Sequence, residues 1–236
     1  MAKYSGRGLH GQTVEMIGRR ILSGKIAEGE TIDLPALEAE LDVSLTVVRE
    51  ALRVLGAKGL IDARQRRGTF VRPREYWHLL DADIIRWRFA DRVDPAFLDD
   101  LAEVRSIIEP AGARLAATRH TPEDLETLRA ALRDTADATD PADAVAADLR
   151  FHKALLTATH NELLERMEVV MATGLAERDR LVHGVEHADD PVPAHTKILD
   201  AVAAADPAAA ESAMRKLLDK AREDLAWITA ERNAIQ

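Results

Sequence analysis

The chain has 236 residues, of which 47% are hydrophobic and 31% are charged, and it contains no cysteine. This length suits two soluble domains, and the lack of cysteine excludes disulfides, thiolate nucleophiles and cysteine-ligated zinc. No run approaches the roughly 18 apolar residues that span a bilayer, and the first residues lack the apolar core of a signal peptide. We therefore expect a cytoplasmic protein with no membrane partner.

The charge is distributed unevenly along the chain. The net charge is −9, but residues 1–75 carry 13 Lys and Arg against 10 Asp and Glu, a balance of +3. Residues 76–236 carry 19 against 31, a balance of −12. This asymmetry favours a front segment that contacts DNA and a second segment that does not.

Residues 1–75 predict three helices followed by a β-wing. Apolar residues recur at helical spacing in each helix, and β-branched residues flank a basic turn at Arg64–Gly68. Two short helices joined by a tight turn form a helix-turn-helix. The predicted helices are Gln12–Leu22, Leu34–Leu41 and Leu45–Ala57, and the predicted strands are Leu60–Ala63 and Thr69–Val71.

Four short motifs in this segment resemble the GntR family of regulators. They are Val43-Ser44, Arg49-Glu50-Ala51-Leu52, Gly59-Leu60-Ile61 and Gly68-Thr69-Phe70-Val71. The resemblance implies a winged helix-turn-helix whose third helix enters the major groove of operator DNA and whose wing reaches the adjacent minor groove. Leu45 and Pro35 stand where members of the fatty-acid-regulator branch commonly carry arginine, so the operator sequence stays open.

The outer face of the third helix and the wing supply the predicted DNA contacts. Arg49 is the candidate for a base edge, because a guanidinium can form two hydrogen bonds with guanine. Other side chains suit phosphates. The full predicted DNA-binding set is Thr46, Arg49, Arg53, Arg64, Arg66, Arg67 and Gly68. The alternative is an ordinary solvated helix face and a soluble hairpin.

Residues 76–94 predict a linker that contains a short helix. Trp77, Leu80, Ile84 and Trp87 lie near helical spacing, and two tryptophans on one stripe are more often buried than exposed. We expect this stripe to pack the two domains together, although a simple surface helix is the alternative.

From residue 95 to residue 232 every apolar pattern is helical. One helix runs from Pro95, the next begins at Thr121-Pro122-Glu123-Asp124, and further helices follow at about 141–159, 161–183, 194–204 and 207–230. An antiparallel bundle would bury their apolar stripes. The predicted fold is thus mainly α, with an N-terminal winged helix-turn-helix followed by an all-α helical bundle.

Three polar side chains on these helices suit a divalent metal. Asp148 and His152 are four residues apart, so they share one helical face, and His195 lies near the start of a later helix. Their order resembles the effector domain of FadR-type GntR regulators, the FCD domain. The resemblance implies that an aspartate and up to three histidines hold a metal, with zinc favoured and nickel or manganese possible.

The position of the last family histidine is occupied by Leu217. Asp148, His152 and His195 remain, the minimum for a three-ligand site with open positions. The alternative is that the metal has been lost and these side chains hydrogen-bond the effector directly.

Arg105 is the main candidate for binding an acidic effector. It lies among apolar neighbours on a mostly buried helix, where a guanidinium needs an anion. That anion is either an internal carboxylate such as Glu109 or, as the resemblance implies, the effector. The resemblance also makes Arg150 and Asn161 candidates for effector binding. The motifs look most like the group of this family that represses galactonate operons, so a sugar acid such as galactonate is favoured.

Together these features predict a DNA-binding transcriptional regulator and not an enzyme. We expect a repressor, and a homodimer because the operator reading needs two half-sites. One alternative is a metal-dependent hydrolase or isomerase with an incidental DNA-binding-like domain, but no HExxH spacing or poised general base supports it. A purely architectural DNA-binding protein would not need Arg105 or the Asp148, His152 and His195 set.

Overall fold

A computed structural model describes residues 8–90, 95–168, 171–172 and 190–234. The chain forms two compact units, Met1–Asp94 and Pro95–Gln236. The fold is mainly α, as predicted, with one two-stranded sheet among the described residues. None of the described helices is both long and apolar enough to cross a membrane.

The first unit is a three-helix domain with a wing and one further helix. Its order is α1 Leu9–Leu22, α2 Leu34–Leu41, α3 Leu45–Ala57, β1 Ile61–Arg64, β2 Gly68–Val71, a 3-10 turn Arg74–Tyr76 and α4 Ala82–Ala90. The strands are antiparallel, with Ile61 opposite Val71 and Arg64 opposite Gly68. The bounds of α2 and α3 are those predicted from the sequence.

The turn between α2 and α3 is held by three local features. Asp42 adopts a left-handed conformation with φ 51°, which ends α2. Ser44 caps α3 by accepting a hydrogen bond from the Val47 amide. A Glu38 carboxylate oxygen accepts the Leu45 amide at 2.7 Å, which ties α2 to the start of α3. These contacts fix the direction of α3 relative to α2.

The segment predicted as a linker belongs to the core of the first unit. Trp77, Ile84 and Trp87 are buried with residues of α1 and α3, whereas Leu80 is 62% exposed. The expectation that this stripe packs the two domains together therefore needs correction, because three of its four members complete the core of the DNA-binding unit. Periodicity showed that the stripe was buried but not which surface buries it.

Polar contacts also attach α4 to this unit. The Lys58 ammonium group, at the end of α3, lies 2.8 Å from carboxylate oxygens of both Asp81 and Asp83. Arg86 forms an ion pair at 3.1 Å with Glu15 of α1. Helix α4 is thus joined to two helices of the winged domain.

The second unit is a helical bundle. Its described helices are α5 Pro95–Arg119, α6 Pro122–Asp137, α7 Pro141–Thr157, α8 Val192–Ala203 and α9 Pro207–Ala234. Residues 162–168 are also helical, and most of the remainder of the predicted helix 161–183 lies outside the described residues. Helix α9 packs against α5 and α8, and α6 packs against α7. The core includes Phe151, Ile198 and Met214.

Candidate functional site

The outer face of α3 presents the predicted DNA-reading side chains to solvent. Thr46, Arg49 and Arg53 are exposed, while Val48, Ala51 and Leu52 on the opposite face are buried. A helix that is anchored on one side and polar on the other can enter a groove without losing its core. Arg53 lies 4.0 Å from Glu50, a loose exposed pair that leaves both side chains largely in water.

The four basic or glycine positions of the wing have different environments. Arg66 has φ 70° at the exposed tip, and Gly68 has φ 81° where β2 begins. The Arg67 guanidinium stacks 3.6 Å from the Phe70 ring centroid and donates to the Gly29 carbonyl at 3.2 Å. Arg64 is exposed and pairs with Asp62 at 3.3 Å. Arg66 is therefore the wing arginine best placed for DNA, whereas Arg67 braces the wing.

In the second unit, α7 and α8 bring the predicted metal ligands together. One ligand atom from each of Asp148, His152 and His195 lies within 4.8 Å of the other two. His195 Nε2 is 3.1 Å from one carboxylate oxygen of Asp148, and His152 Nε2 is 3.7 Å from the other. The three donors thus surround one point, and both imidazole rings are buried.

The second nitrogen of each ring faces an acceptor. His195 Nδ1 lies 2.9 Å from the Pro191 carbonyl oxygen, and His152 Nδ1 lies 3.0 Å from Glu109 Oε2. Metal-binding histidines commonly present their outer N–H to such acceptors, which leaves the other nitrogen lone pair for the ion. The Phe151 ring packs edge-on against His195 with 4.7 Å between centroids and limits its rotation.

The donor set fits a metal better than it fits an internal hydrogen-bond network. His195 Nε2 is buried and has no aligned hydrogen-bond partner, although Asp148 Oδ1 is only 3.1 Å away. The His152 Nδ1 contact with Glu109 is likewise short but not aligned as a hydrogen bond. A buried nitrogen without a partner is costly. A cation between Asp148 and His195 would satisfy both donor atoms.

Charges around the site also favour a cation. Burial would raise the pKa of the Glu109 carboxyl, but Arg105 and then His152 lower it to about 2. Burial likewise opposes ionisation of Asp148, yet His152 and His195 hold its pKa below the ordinary value. Burial would lower the pKa of His152, and the carboxylates of Glu109 and Asp148 raise it instead. The buried carboxylate of Glu109 and the partly buried carboxylate of Asp148 therefore attract positive charge to this point, either a proton or a metal ion.

Arg105 pairs with the internal carboxylate that was the alternative partner in the sequence. Its Nε and Nη2 donate to the two oxygens of Glu109, the latter at 3.2 Å, and both side chains are buried. Glu109 therefore links Arg105 on one side to His152 on the other. Sequence reasoning considered Glu109 only as a partner for Arg105, because its contact with a histidine of another helix exists only in the folded bundle.

A cavity of about 780 Å³ opens beside the triad. Arg105, Asp148, His152 and His195 all line it, so the predicted metal ligands and the predicted effector-binding arginine share one space. Leu217 lines it as well, at the position where a further histidine was expected from the family pattern. A cavity of this size suits a small organic ligand.

Two residues predicted to bind the effector do not reach this cavity. Arg150 lies on α7 but forms an exposed ion pair with Asp134 of α6 at 3.0 Å. The Asn161 side-chain oxygen accepts hydrogen bonds from the amides of Leu163 and Leu164 and so caps the following helical segment. These local contacts give both residues a structural role, and their assignment to the effector stays a prediction that the cavity lining does not support.

Comparison with known proteins agrees with the division of the chain. Residues 9–71 match the family model "Bacterial regulatory proteins, gntR family", and residues 100–220 match "FCD domain". The galactonate operon transcriptional repressor of Escherichia coli is 33% identical over 90% of this chain and 95% of its own length. The transcriptional regulator LutR of Bacillus subtilis is 31% identical over 82% and 90%.

Solved structures show the same fold. A GntR protein of Streptococcus agalactiae has a TM-score of 0.50 and 26% identity, covering 91% of this chain and 99% of its own. Lar of Listeria monocytogenes has a TM-score of 0.66 and 18% identity, covering 93% of this chain and 97% of its own. At this identity the likeness shows the fold alone. With a winged helix-turn-helix, a helical bundle and these matches over nearly its whole length, the chain belongs to the GntR family of transcriptional regulators and carries an FCD domain.

Proposed function

We propose that this protein is a repressor that binds operator DNA as a homodimer in the cytoplasm and is released by a small carboxylated effector. The DNA contacts come from Arg49 on α3 and Arg66 on the wing, supported by Thr46, Arg53 and Arg64. The effector is bound in the second unit, in the cavity beside Asp148, His152 and His195. The relative that represses a galactonate operon supports a sugar acid as the effector, with galactonate the first compound to test.

One observation carries the effector site: two buried histidines and an aspartate converge on one point at the edge of an open cavity. A divalent ion held there, with zinc favoured by the nitrogen-rich donor set, would offer open coordination positions to a carboxylate. The Pro191 carbonyl orients His195, and Glu109 lies 3.0 Å from the outer nitrogen of His152. Arg105 lines the same cavity and is the candidate for a second contact with the effector carboxylate.

Effector binding can lower DNA affinity only if the effector prefers the conformation that binds DNA poorly. The coupling is reciprocal, so operator DNA must weaken effector binding by the same factor. This reciprocity distinguishes a regulated repressor from a protein in which the two ligands bind independently.

The proposal is tested by metal content and operator release in the same samples. We expect wild-type protein without a histidine tag to contain about one divalent ion per chain, and His195→Ala to contain far less and to melt at a lower temperature. Galactonate should release operator DNA from wild-type protein but not from His195→Ala. The control is His120→Ala, because His120 lies outside the triad and does not line the cavity.

Metal-free wild-type protein that gains no stability from added zinc, nickel or manganese would overturn the metal assignment. Operator affinity that stays constant with galactonate and with other small carboxylates would overturn the effector assignment.

A further inference from the structure

The rim of the effector cavity carries a group of lysines. Lys197 of α8 and Lys216 and Lys220 of α9 line the same cavity as the Asp148, His152 and His195 triad. The three lysines are exposed, whereas both histidines are buried. Lys216 and Lys220 are one helical turn apart and therefore project from one side of α9. The triad thus lies at the inner end of the cavity and the lysines at its solvent side.

Two of these lysines have no ion-pair partner among the described residues, whereas the third has one. Lys220 Nζ lies 2.9 Å from Asp224 Oδ1, which also lines the cavity. Within the described part of the chain, neither Lys197 nor Lys216 forms an ion pair. Among the described lining residues, Asp190 is the one remaining acidic residue outside the triad and the Lys220 pair.

The composition of this region makes the lysines notable. Residues 76–236 have a charge balance of −12, from 19 basic and 31 acidic residues. A random patch of that surface would be acidic. Against that background, the described lining carries Arg105 and three lysines against three aspartates, and an excess of positive charge in a cleft concentrates anionic ligands.

We propose that the effector has two anionic groups, one bound beside the triad and a second, a carboxylate or a phosphate, recognised by Lys197 and Lys216. The proposal rests on the proposed function, because it assigns a second contact to the ligand of that same site. The lining positions of α9 run from Ala213 to Asp224, about 16 Å along a helix with a rise of 1.5 Å per residue. The cavity thus extends along α9 beyond the triad, which leaves room for a ligand with a second charged end.

The experiment compares three acids with one carbon skeleton that differ in the terminal group: galactonate, galactarate and 6-phosphogalactonate. Their affinities for metal-loaded, full-length protein are measured by calorimetry at low and at high salt. Galactarate or 6-phosphogalactonate should bind at least about fivefold more tightly than galactonate at low salt, since one solvent-exposed charge pair contributes about that factor. The preference should shrink as salt is added. The two dianions distinguish a carboxylate from a phosphate.

A double variant, Lys197→Gln with Lys216→Gln, should lose this preference at low salt. At high salt, where exposed charges are screened, it should keep its affinity for galactonate within about twofold. The matched control is Lys153→Gln, because Lys153 is exposed on α7 but does not line the cavity. Equal affinities for the monoanion and both dianions, or an unchanged preference in the double variant, would overturn the lysine proposal and leave the proposed function standing. Failure of wild-type protein to bind any of the three acids would overturn both.

Discussion

Neighbouring arginines in the wing have unequal freedom. Arg67 is held by the Phe70 ring and the Gly29 carbonyl, whereas Arg66 stands at the tip in a left-handed conformation. Arg49, on the outer face of α3, is free to meet a base edge. The sequence alone treats the three wing arginines alike, because their stacking depends on the fold of the hairpin.

These environments separate specific from general DNA contacts. Arg49→Ala should weaken operator binding by about 1–3 kcal/mol and relax base preference, while Arg66→Ala should weaken binding to all sequences and reduce the salt dependence. Titration of operator and of unrelated DNA at several salt concentrations measures both effects. An Arg49→Ala protein with undiminished operator affinity would remove α3 as the recognition helix.

The candidate metal site shows which residue roles can be read from sequence. Asp148 and His152 were identified by their spacing of four, and His195 by its resemblance to a family pattern. Glu109 was recognised as a possible partner of Arg105, again at a spacing of four. Its contact with His152 joins α5 to α7, and no local pattern encodes a contact between distant helices. The lysines of the cavity rim were missed for the same reason.

At the scale of elements, α1 and α4 pack unusually closely. A Cβ atom added at Gly18 would lie 2.6 Å from Cζ3 of Trp87, well inside contact distance. The absence of a side chain at Gly18 therefore leaves room for the indole ring of Trp87, from a segment that the sequence suggested was a linker. Gly56 of α3 is different, since an added Cβ would find its nearest neighbour, the Ile61 carbonyl oxygen, at 3.8 Å.

The two glycines therefore predict opposite changes in stability for the same substitution, glycine to alanine. Replacing a helical glycine with alanine normally stabilises a helix by about 1 kcal/mol, and Gly56→Ala should gain a comparable amount. Gly18→Ala should instead lose about 1–3 kcal/mol, because Trp87 must move. Denaturant unfolding of both variants measures the difference. A Gly18→Ala protein as stable as Gly56→Ala would contradict the placement of α4.

Most elements were predictable because local signals mark their ends. Thr121 and Asp124 form a reciprocal capping box at the start of α6, and the predicted helix begins there. Ser44 marks the start of α3 as an N-cap whose side chain accepts from the Val47 amide. The exception is α4, whose apolar stripe was identified but was given the wrong partner surface. Periodicity reports that a face is buried, whereas the identity of the covering surface is a tertiary property.

At the scale of the whole molecule, the segment that contains the winged domain and the segment that contains the helical bundle carry net charges of opposite sign. The balance of +3 in residues 1–75 suits a polyanion, and the balance of −12 in the remainder would repel one. DNA approach is therefore steered toward the winged domain. The cavity proposed to bind the effector lies in the acidic unit, where its lysines provide a local exception.

The burial of Trp87 against Gly18 bears on how such regulators can be recombined. The family match to the DNA-binding module ends at residue 71, but the compact unit extends to Asp94. A chimera joined at residue 75 would take Trp77, Ile84 and Trp87 from the donor of the other half, and a mismatched helix would have to fill a cleft shaped for an indole. A chimera of this chain should therefore fold well only when α4 and the winged domain come from the same parent protein.

Two fragments test this unit of exchange. A fragment of residues 1–94 should fold cooperatively, whereas one of residues 1–75 should lose on the order of 5 kcal/mol, at about 1.5–3 kcal/mol for each of three large apolar side chains removed. That loss equals the entire stability of many small domains, so the shorter fragment should be largely unfolded. Thermal melting followed by circular dichroism compares them, and equal melting temperatures would make residue 75 an acceptable junction after all.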